Sequence, residues 1–436
     1  MGQKRTRLAG AAAPLTAASL VALSVALRLP AVLGYHGPLA PHPFNLYEMA
    51  HVGAYSDIAH LYFRDQIWHH AVPYFDFRFE YPVLTGAFVW VAGFLGDGVA
   101  HYLLASAVLL TCLAVVTVRL LGRIPGAKPW LFAAAPALAF YGVLNWDLLG
   151  VCLSALALLL LERGRDLPGS AVLALSVSAK LFPVVVLPVV LALRIAEGRL
   201  RTAASMAAVF AGVTVAVNAP VAIDPRADSG LRSSWLYFFD VTQTRPPRAT
   251  IWKPLLEGRA NLVTGLVLAG GVAAIVAIAV RCRSRSPLIP ASAATLLWVF
   301  ATVKVYSPQY ALWIFAALAA TGAPAGLAVA FAAVDVLVFT TTFGPLYPGF
   351  GPFAPGGVPL AIQWGAYGVR QLLTAALAVW IVRRQIVVPA RPVARAAPRD
   401  AGARLSPLAG PARRAPAGSR GSARSRTAGW WSIRRG

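Results

Sequence analysis

Charge is scarce in this chain of 436 residues: 13% are Asp, Glu, Lys or Arg against 58% hydrophobic, and the mean hydropathy is +0.66. Soluble domains carry about 25% charged residues, so the composition excludes that class and indicates an all-α polytopic membrane protein. Cysteine is rarer still. Cys112, Cys152 and Cys282 lie in or beside apolar segments without metal-ligand spacing, which predicts neither a disulfide nor a metal site. Acids are few as well, 16 against 39 Lys and Arg, and a net charge of +23 would suit a nucleic-acid partner. Residues 385–436, however, hold eleven Arg and one Asp, so ten of those charges sit in an Ala/Pro/Gly/Arg-rich tail without apolar periodicity. Such a tail cannot bury enough surface to order itself. It predicts a disordered cytoplasmic segment held near anionic lipid, with no nucleic acid bound.

What the chain has in abundance is apolar runs. The first, 8–33 behind Lys4, Arg5 and Arg7, exceeds the ~7–15 apolar residues of a cleaved signal and is predicted to remain as a span. Others at about 100–121, 129–144, 148–161, 170–193, 203–222, 260–280, 288–304, 310–323, 325–343 and 361–382 are measured against the ~20 residues of a spanning helix. Lys/Arg clusters at 4–7, 119–128, 163–165, 194–201, 281–285 and 383–384 mark the cytoplasmic ends. The run 170–193 has basic residues at both ends and Lys180 and Pro183 in its middle, which predicts a broken hairpin lining protein or water. Counted twice, it brings the total to about twelve spans in a transmembrane catalytic domain, 1–384, with both termini on the cytoplasmic side of the cell membrane.

The outer side then receives loops at 34–81, 145–147, 223–259 and 344–359. The first is unusual, with Glu48, Asp57, Asp65, Asp76 and Glu80 against Arg64 and Arg78, and six of the seven His. After it, 81–95 is apolar but short and predicts a partly embedded helix of the same loop. Read helically, Ser56, His60 and Arg64 share one face, so 56–70 predicts an amphipathic helix with Asp57 near the membrane surface beside His60. An ionised carboxylate there suits a general base for a hydroxyl acceptor. The His spacing converges on no metal. Further candidates for substrate contact are Glu80 and Tyr81 in the aromatic run 73–82; Asp147 at a helix edge, where a capping role is the alternative; and Lys180. Lys304, Tyr306, Gln309 and Tyr310 crowd a break at Pro308, and Arg248 and Lys253 could neutralise a phosphate leaving from a lipid.

In that order across 8–384, "YSDIAHLY", "PYFDFRFEYPVL", "NWDLLGVCLSALALLLLERGR", "SAKLFPVVVLPVVLAL" and "KVYSPQYALW" resemble the GT-C-fold glycosyltransferases, and within them the family 87 polyprenyl-phosphate-mannose-dependent type. The resemblance implies an outer-loop Asp as base, here Asp57, and a GT-C-like helical bundle. It also implies a polyprenyl-phosphate sugar donor, with mannose as the sugar, and a glycan or glycolipid acceptor in the cell envelope, without a cofactor. Where some members carry a His pair this chain reads "SPQY", so no His role transfers to Gln309. Sugar nucleotides are made in the cytoplasm, so an outward-facing transferase needs its sugar delivered through lipid. A polytopic transporter or lipid-linked sugar flippase is the competing class; such proteins show repeated halves and midplane ionisable groups, and here Asp335 alone looks deeply placed.

Overall fold

A computed structural model describes residues 2–33, 53–223, 235–252, 256, 258–283, 286–346 and 359–388. His36, His42, His51, Glu48 and Lys253, and the tail from 389 onward, lie outside the described residues. Among those described the chain is helical, with two isolated β-bridges, Pro73 to Phe77 and Arg248 to Val305.

The first half comprises α1 (Gly2–Leu33), α2 (Asp57–Arg64), α3 (Val83–Gly93), α4 (Val99–Leu121), α5 (Trp130–Ala133), α6 (Pro136–Tyr141), α7 (Asp147–Glu162) and α8 (Asp166–Ala179). The second comprises α9 (Val186–Ala196), α10 (Leu200–Ala222), α11 (Tyr237–Thr244), α12 (Ala260–Arg281), α13 (Leu288–Thr302), α14 (Ala311–Ala320), α15 (Ala325–Phe343) and α16 (Leu360–Ile381). Among the described residues six helical stretches are long and apolar enough to cross a membrane: Ala11–Leu33, Val99–Leu121, Leu200–Ala222, Ala260–Arg281, Ala325–Phe343 and Leu360–Val387. The chain is therefore a multi-pass membrane protein. Threonine hydroxyls inside these helices bond back to their own helix: Thr111 and Thr117 in α4 donate to the carbonyls of Ala107 and Leu113.

Shorter apolar helices pack among the long ones. α7 and α8 form a hairpin, α4 packs on α1 and α7, and α12, α13 and α16 pack in sequence. The run 129–144 is not one helix but two, α5 and α6, because Pro136 forces Ala135 into an extended conformation. The break expected within 170–193 is present: α8 ends at Ala179, Lys180 is extended, and a 3₁₀ turn at Phe182–Val185 precedes α9. The amphipathic helix expected at 56–70 is shorter than expected. It stops at Arg64, with a 3₁₀ turn at Ile67–His69 between Gln66 and His70, both at positive φ.

Two sets of contacts define the two sides of the bundle. On one, 53–57, 142–147, 179–182, 245–251 and 303–307 are tied together through Asp57 N–H to Leu144, Thr85 Oγ1 to the Ala179 carbonyl, and Arg248 N–H to the Lys304 carbonyl. On the other, Lys128 Nζ donates to Ala323, Arg194 and Arg199 clasp Asp166, and Gln385 donates to Thr321. Packing runs past residue 384, since Ile386 in the π-turn Val382–Val387 is fully buried.

Candidate active site

Asp57 opens α2, and its backbone is fixed by a helix break elsewhere in the chain. Its N–H donates to Leu144 O at 2.8 Å and Ser56 Oγ donates to Val143 O at 2.8 Å. Beneath this loop, fully buried Arg28 of α1 donates to the carbonyls of Tyr55 (2.9 Å) and Phe140 (2.6 Å) and to Ser24. Burying a guanidinium is costly unless its donors are met, and meeting them here pins the site loop to the bundle.

The Asp57 carboxylate is half-buried and held by three donors. Tyr55 Oη donates to Oδ1 at 2.7 Å, Asn145 Nδ2 to Oδ2 at 2.7 Å, and Tyr81 Oη reaches Oδ2 at 3.5 Å. Asn145 also donates to Tyr81 Oη at 2.8 Å and accepts from Trp146 N–H. A carboxylate offers about four acceptor sites, so room remains for one hydroxyl. Burial, and next the Asp57 charge, push the Tyr55 and Tyr81 phenols well above their ordinary pKa, which keeps both protonated as donors. Tyr55 stacks on Phe343 and Tyr81 meets Trp146 edge-on.

Asp147 and Lys180 are committed to each other. Lys180 Nζ lies 3.1 Å from Asp147 Oδ2, Trp313 Nε1 donates to Oδ1 at 2.9 Å, and both charged side chains are buried. Gly150 makes this possible, because a Cβ there would come within 2.8 Å of the Trp313 ring. The Lys180 ammonium also sits 4.8 Å over the Tyr81 ring. The pair thus braces Tyr81 from below.

Glu80 bridges Arg64 (2.9 Å) and Arg245 (2.6 Å), clamping the Asp57 segment to the 235–252 segment. Burial raises the Glu80 carboxyl, but the two guanidinium groups outweigh it and hold it below its ordinary value. Lys304 donates to the Gln243 carbonyl at 2.7 Å. Arg248 is exposed, and its guanidinium makes no side-chain hydrogen bond or ion pair among the described residues. Its backbone pairs with Lys304 and Tyr306, which sets it beside Lys304 on the 245–251 segment, and its charge partly offsets the upward shift of the Tyr55 phenol. His60, half-buried, is one turn along α2 from Asp57. Tyr306, Gln309 and Tyr310 are buried; Tyr306 stacks under the guanidinium of Arg370 at 3.7 Å, and Tyr310 packs on Phe182 and Phe300. Asp335, fully buried, accepts from Tyr141 Oη at 3.2 Å.

Of the residues expected from sequence, the structure therefore brings Asp57, Tyr81, Asp147 and Lys180 into one cluster, with Glu80, Arg248 and Lys304 along its rim. Asn145, Tyr55, Arg28 and Trp313 were missed. Asn145 stands in the quoted "NWD" and Tyr55 two positions from Asp57, but their roles are set by contacts across the fold.

Residues 79–308, more than half of the chain, match the sequence profile of glycosyltransferase family 87. The matched region begins two residues before Tyr81 and includes Asn145, Asp147, Lys180, Arg248 and Lys304; Asp57 precedes it. No curated protein matches the sequence. With this coverage and a bundle of apolar helices around a braced carboxylate, the chain belongs to glycosyltransferase family 87 and is a membrane glycosyltransferase.

Proposed function

We propose that this transferase moves mannose from a polyprenyl-phosphate donor to a hydroxyl of an extracytoplasmic glycan or glycolipid, with inversion. The observation that carries the reading is the Asp57 carboxylate, oriented by Tyr55, Asn145 and Tyr81 and left half-exposed. Asp57 takes the proton from the acceptor hydroxyl. The acceptor oxygen bonds to the anomeric carbon as the bond from that carbon to the lipid phosphate breaks, and the electron pair leaves with the phosphate. Negative charge then develops on the phosphate at the rim where Arg248, Lys304 and Arg245 stand, and preorganised cations there favour the transition state. Lys253 belongs to the same stretch of sequence. Arg119, Arg123, Arg163, Arg165 and Arg281 lie at helix ends away from the Asp57 loops. The positive-inside rule assigns that side to the cytoplasm, and both termini with it.

Membranes containing the protein, given radiolabelled polyprenyl-phosphate mannose and an envelope glycolipid fraction, should form a labelled product. Asp57→Asn should reduce the rate by about 10²–10⁴-fold, the usual contribution of a general base. A wild-type protein inactive with this donor, or an Asp57→Asn enzyme with near-normal turnover, would reject the reading. A cysteine at exposed His69 should react with an impermeant maleimide in intact cells; labelling only after lysis would reverse the orientation.

A further inference from the structure

Two neighbouring residues of α16, a helix beyond the matched region, reach the backbone that carries Arg248 and Lys304. Gln371 is buried, at 1% exposure, and its one amide joins two segments. Oε1 accepts the Ile251 N–H at 2.9 Å, and Nε2 donates to the Ala301 carbonyl at 2.8 Å. The Ala301 carbonyl needs such a donor: α13 ends at Thr302 and Val303 turns extended, so the carbonyls of the last turn lose their intrahelical N–H. A neutral amide accepts on one side and donates on the other. An ionised carboxylate only accepts, and a thioether is at best a weak acceptor.

The segments that Gln371 joins bear the rim cations. Arg248 N–H donates to the Lys304 carbonyl and Tyr306 N–H to the Arg248 carbonyl, both at 3.0 Å, and Thr250 Oγ1 donates to the same Lys304 carbonyl at 3.1 Å. These bonds make an isolated bridge, Arg248 with Val305, too short to hold itself as a sheet does. The chain beside it is strained as well. Ala249 sits at φ 54, left-handed for a residue with a Cβ, and such a conformation persists only where its surroundings enforce it. Helix α16 supplies those surroundings: Ala249 packs with Ala366 and Tyr367, Gln371 holds Ile251, and a Cβ at Gly368 would come within 3.4 Å of the Ile251 side chain. On the other side of the bridge Tyr306 lies under the Arg370 guanidinium. Both backbones that present the rim cations are therefore anchored to one helix.

We infer that Gln371 is a positioning residue for the transfer reaction: by bridging Ile251 to Ala301 it holds Arg248 and Lys304 in one arrangement toward the departing phosphate. This rests on the reading of the rim proposed above. Cations fixed in advance by the backbone stabilise charge as it develops without being gathered during the reaction. Loosening the bridge should thus cost rate although no charge is removed.

The test uses the full-length protein in nanodiscs and Gln371→Met, which keeps the length of the side chain and removes both hydrogen bonds. Amide exchange in 248–252 and 303–308 should speed up, and kcat at saturating lipid-linked donor should fall about five- to tenfold per folded molecule, the factor that one ordinary hydrogen bond corresponds to. In an enzyme that already carries Arg248→Gln and Lys304→Gln, adding Gln371→Met should lower the rate by less than about twofold, because the cations it positions are gone. A merely structural defect would lower the rate by the same factor in both backgrounds, and that result, or unchanged exchange, overturns the inference. Normal rates in Gln371→Met with an impaired Arg248→Gln/Lys304→Gln enzyme would overturn the positioning role and leave the rim reading standing. Normal rates in both would reject the rim as the seat of the phosphate, and the positioning role with it. Should Gln371→Met not fold, Gln371→Glu, which keeps the acceptor for Ile251, is read by the same criteria.

Discussion

Asn145→Ala isolates the orientation of the carboxylate from its basicity. Asn145 is fully buried, and its single amide nitrogen supplies both the 2.7 Å bond to Asp57 Oδ2 and the 2.8 Å bond to Tyr81 Oη. Without it Oδ2 keeps only the 3.5 Å approach of Tyr81, and Asp57 is free to rotate about the remaining Tyr55 contact. A hydrogen bond to a charged group contributes about 1.5–3 kcal/mol. At about 1.4 kcal/mol per decade, with part of that lost from the ground state as well, kcat should fall about 10–100-fold. The donor KM should barely change, because the Asn145 amide contacts Asp57 and Tyr81 and none of the basic side chains of the rim. Initial rates with labelled donor, paired with thermal unfolding to confirm folding, give the readout. Asn145→Ala with more than half of wild-type kcat and a normal Tm would refute the claim that this amide aims the base, as would a defect as deep as that of Asp57→Asn.

The buried Lys180–Asp147 pair should behave as a brace rather than a ligand. Lys180→Met alone should destabilise by about 3–5 kcal/mol through the orphaned carboxylate, while Lys180→Met with Asp147→Leu should recover much of that loss in thermal unfolding; equal Tm values for all three forms would contradict the brace. Glu80→Gln should cost no more than about 1 kcal/mol, since both arginines are substantially exposed, yet should speed amide exchange in 240–247 at pH 7. Because the folded Glu80 carboxyl lies below its ordinary value, the clamp is complete above about pH 4.3 and is lost as pH falls through the lowered value. Wild-type exchange in 240–247 that already rises at pH 6 would contradict this order. Truncation after Val388 should leave turnover per molecule intact, whereas truncation after Arg384 should lower Tm by removing Gln385 and Ile386 from their packing; a loss of turnover in the Val388 truncation would implicate the tail in catalysis.

Much of the bundle was legible because lipid imposes local rules. Spanning helices must be long and apolar, and the break near Pro183 and the interruption at Pro136 follow from the missing donor and the constrained preceding residue. By hydropathy alone the 129–144 run reads as one element, because hydropathy does not register the backbone constraint of Pro136. Asp57 was legible among the five acids of its loop because helical spacing sets it beside His60. What fixes it was not, because Asn145 lies 88 residues away and Arg28 reaches Phe140 across 112. Asp147 and Lys180 show the limit from the other side: each looks like a ligand by residue type, and only the packing of α7 against the end of α8 shows that they meet. Likewise, nothing in "RQLL" announces that Arg370 will lie fully buried against Tyr306.

The ties between the Asp57 loop and residues 140–145 also set an order of events during synthesis. Ser56 finds its acceptor 87 residues downstream, and Arg28 waits for the Phe140 carbonyl. At about 5–20 residues per second, the ribosome delivers those partners roughly 4–17 s after the loop itself. Throughout that interval the first helix carries an arginine whose donors are only partly met by Ser24, so it has reason to stay near the insertion machinery, or near water, until the segment containing Phe140 arrives. Maturation of the carboxylate site is thereby coupled to membrane integration of the polypeptide through α6, and a nascent chain arrested before Phe140 should hold Arg28 and Asp57 in a more hydrated state than the finished protein does.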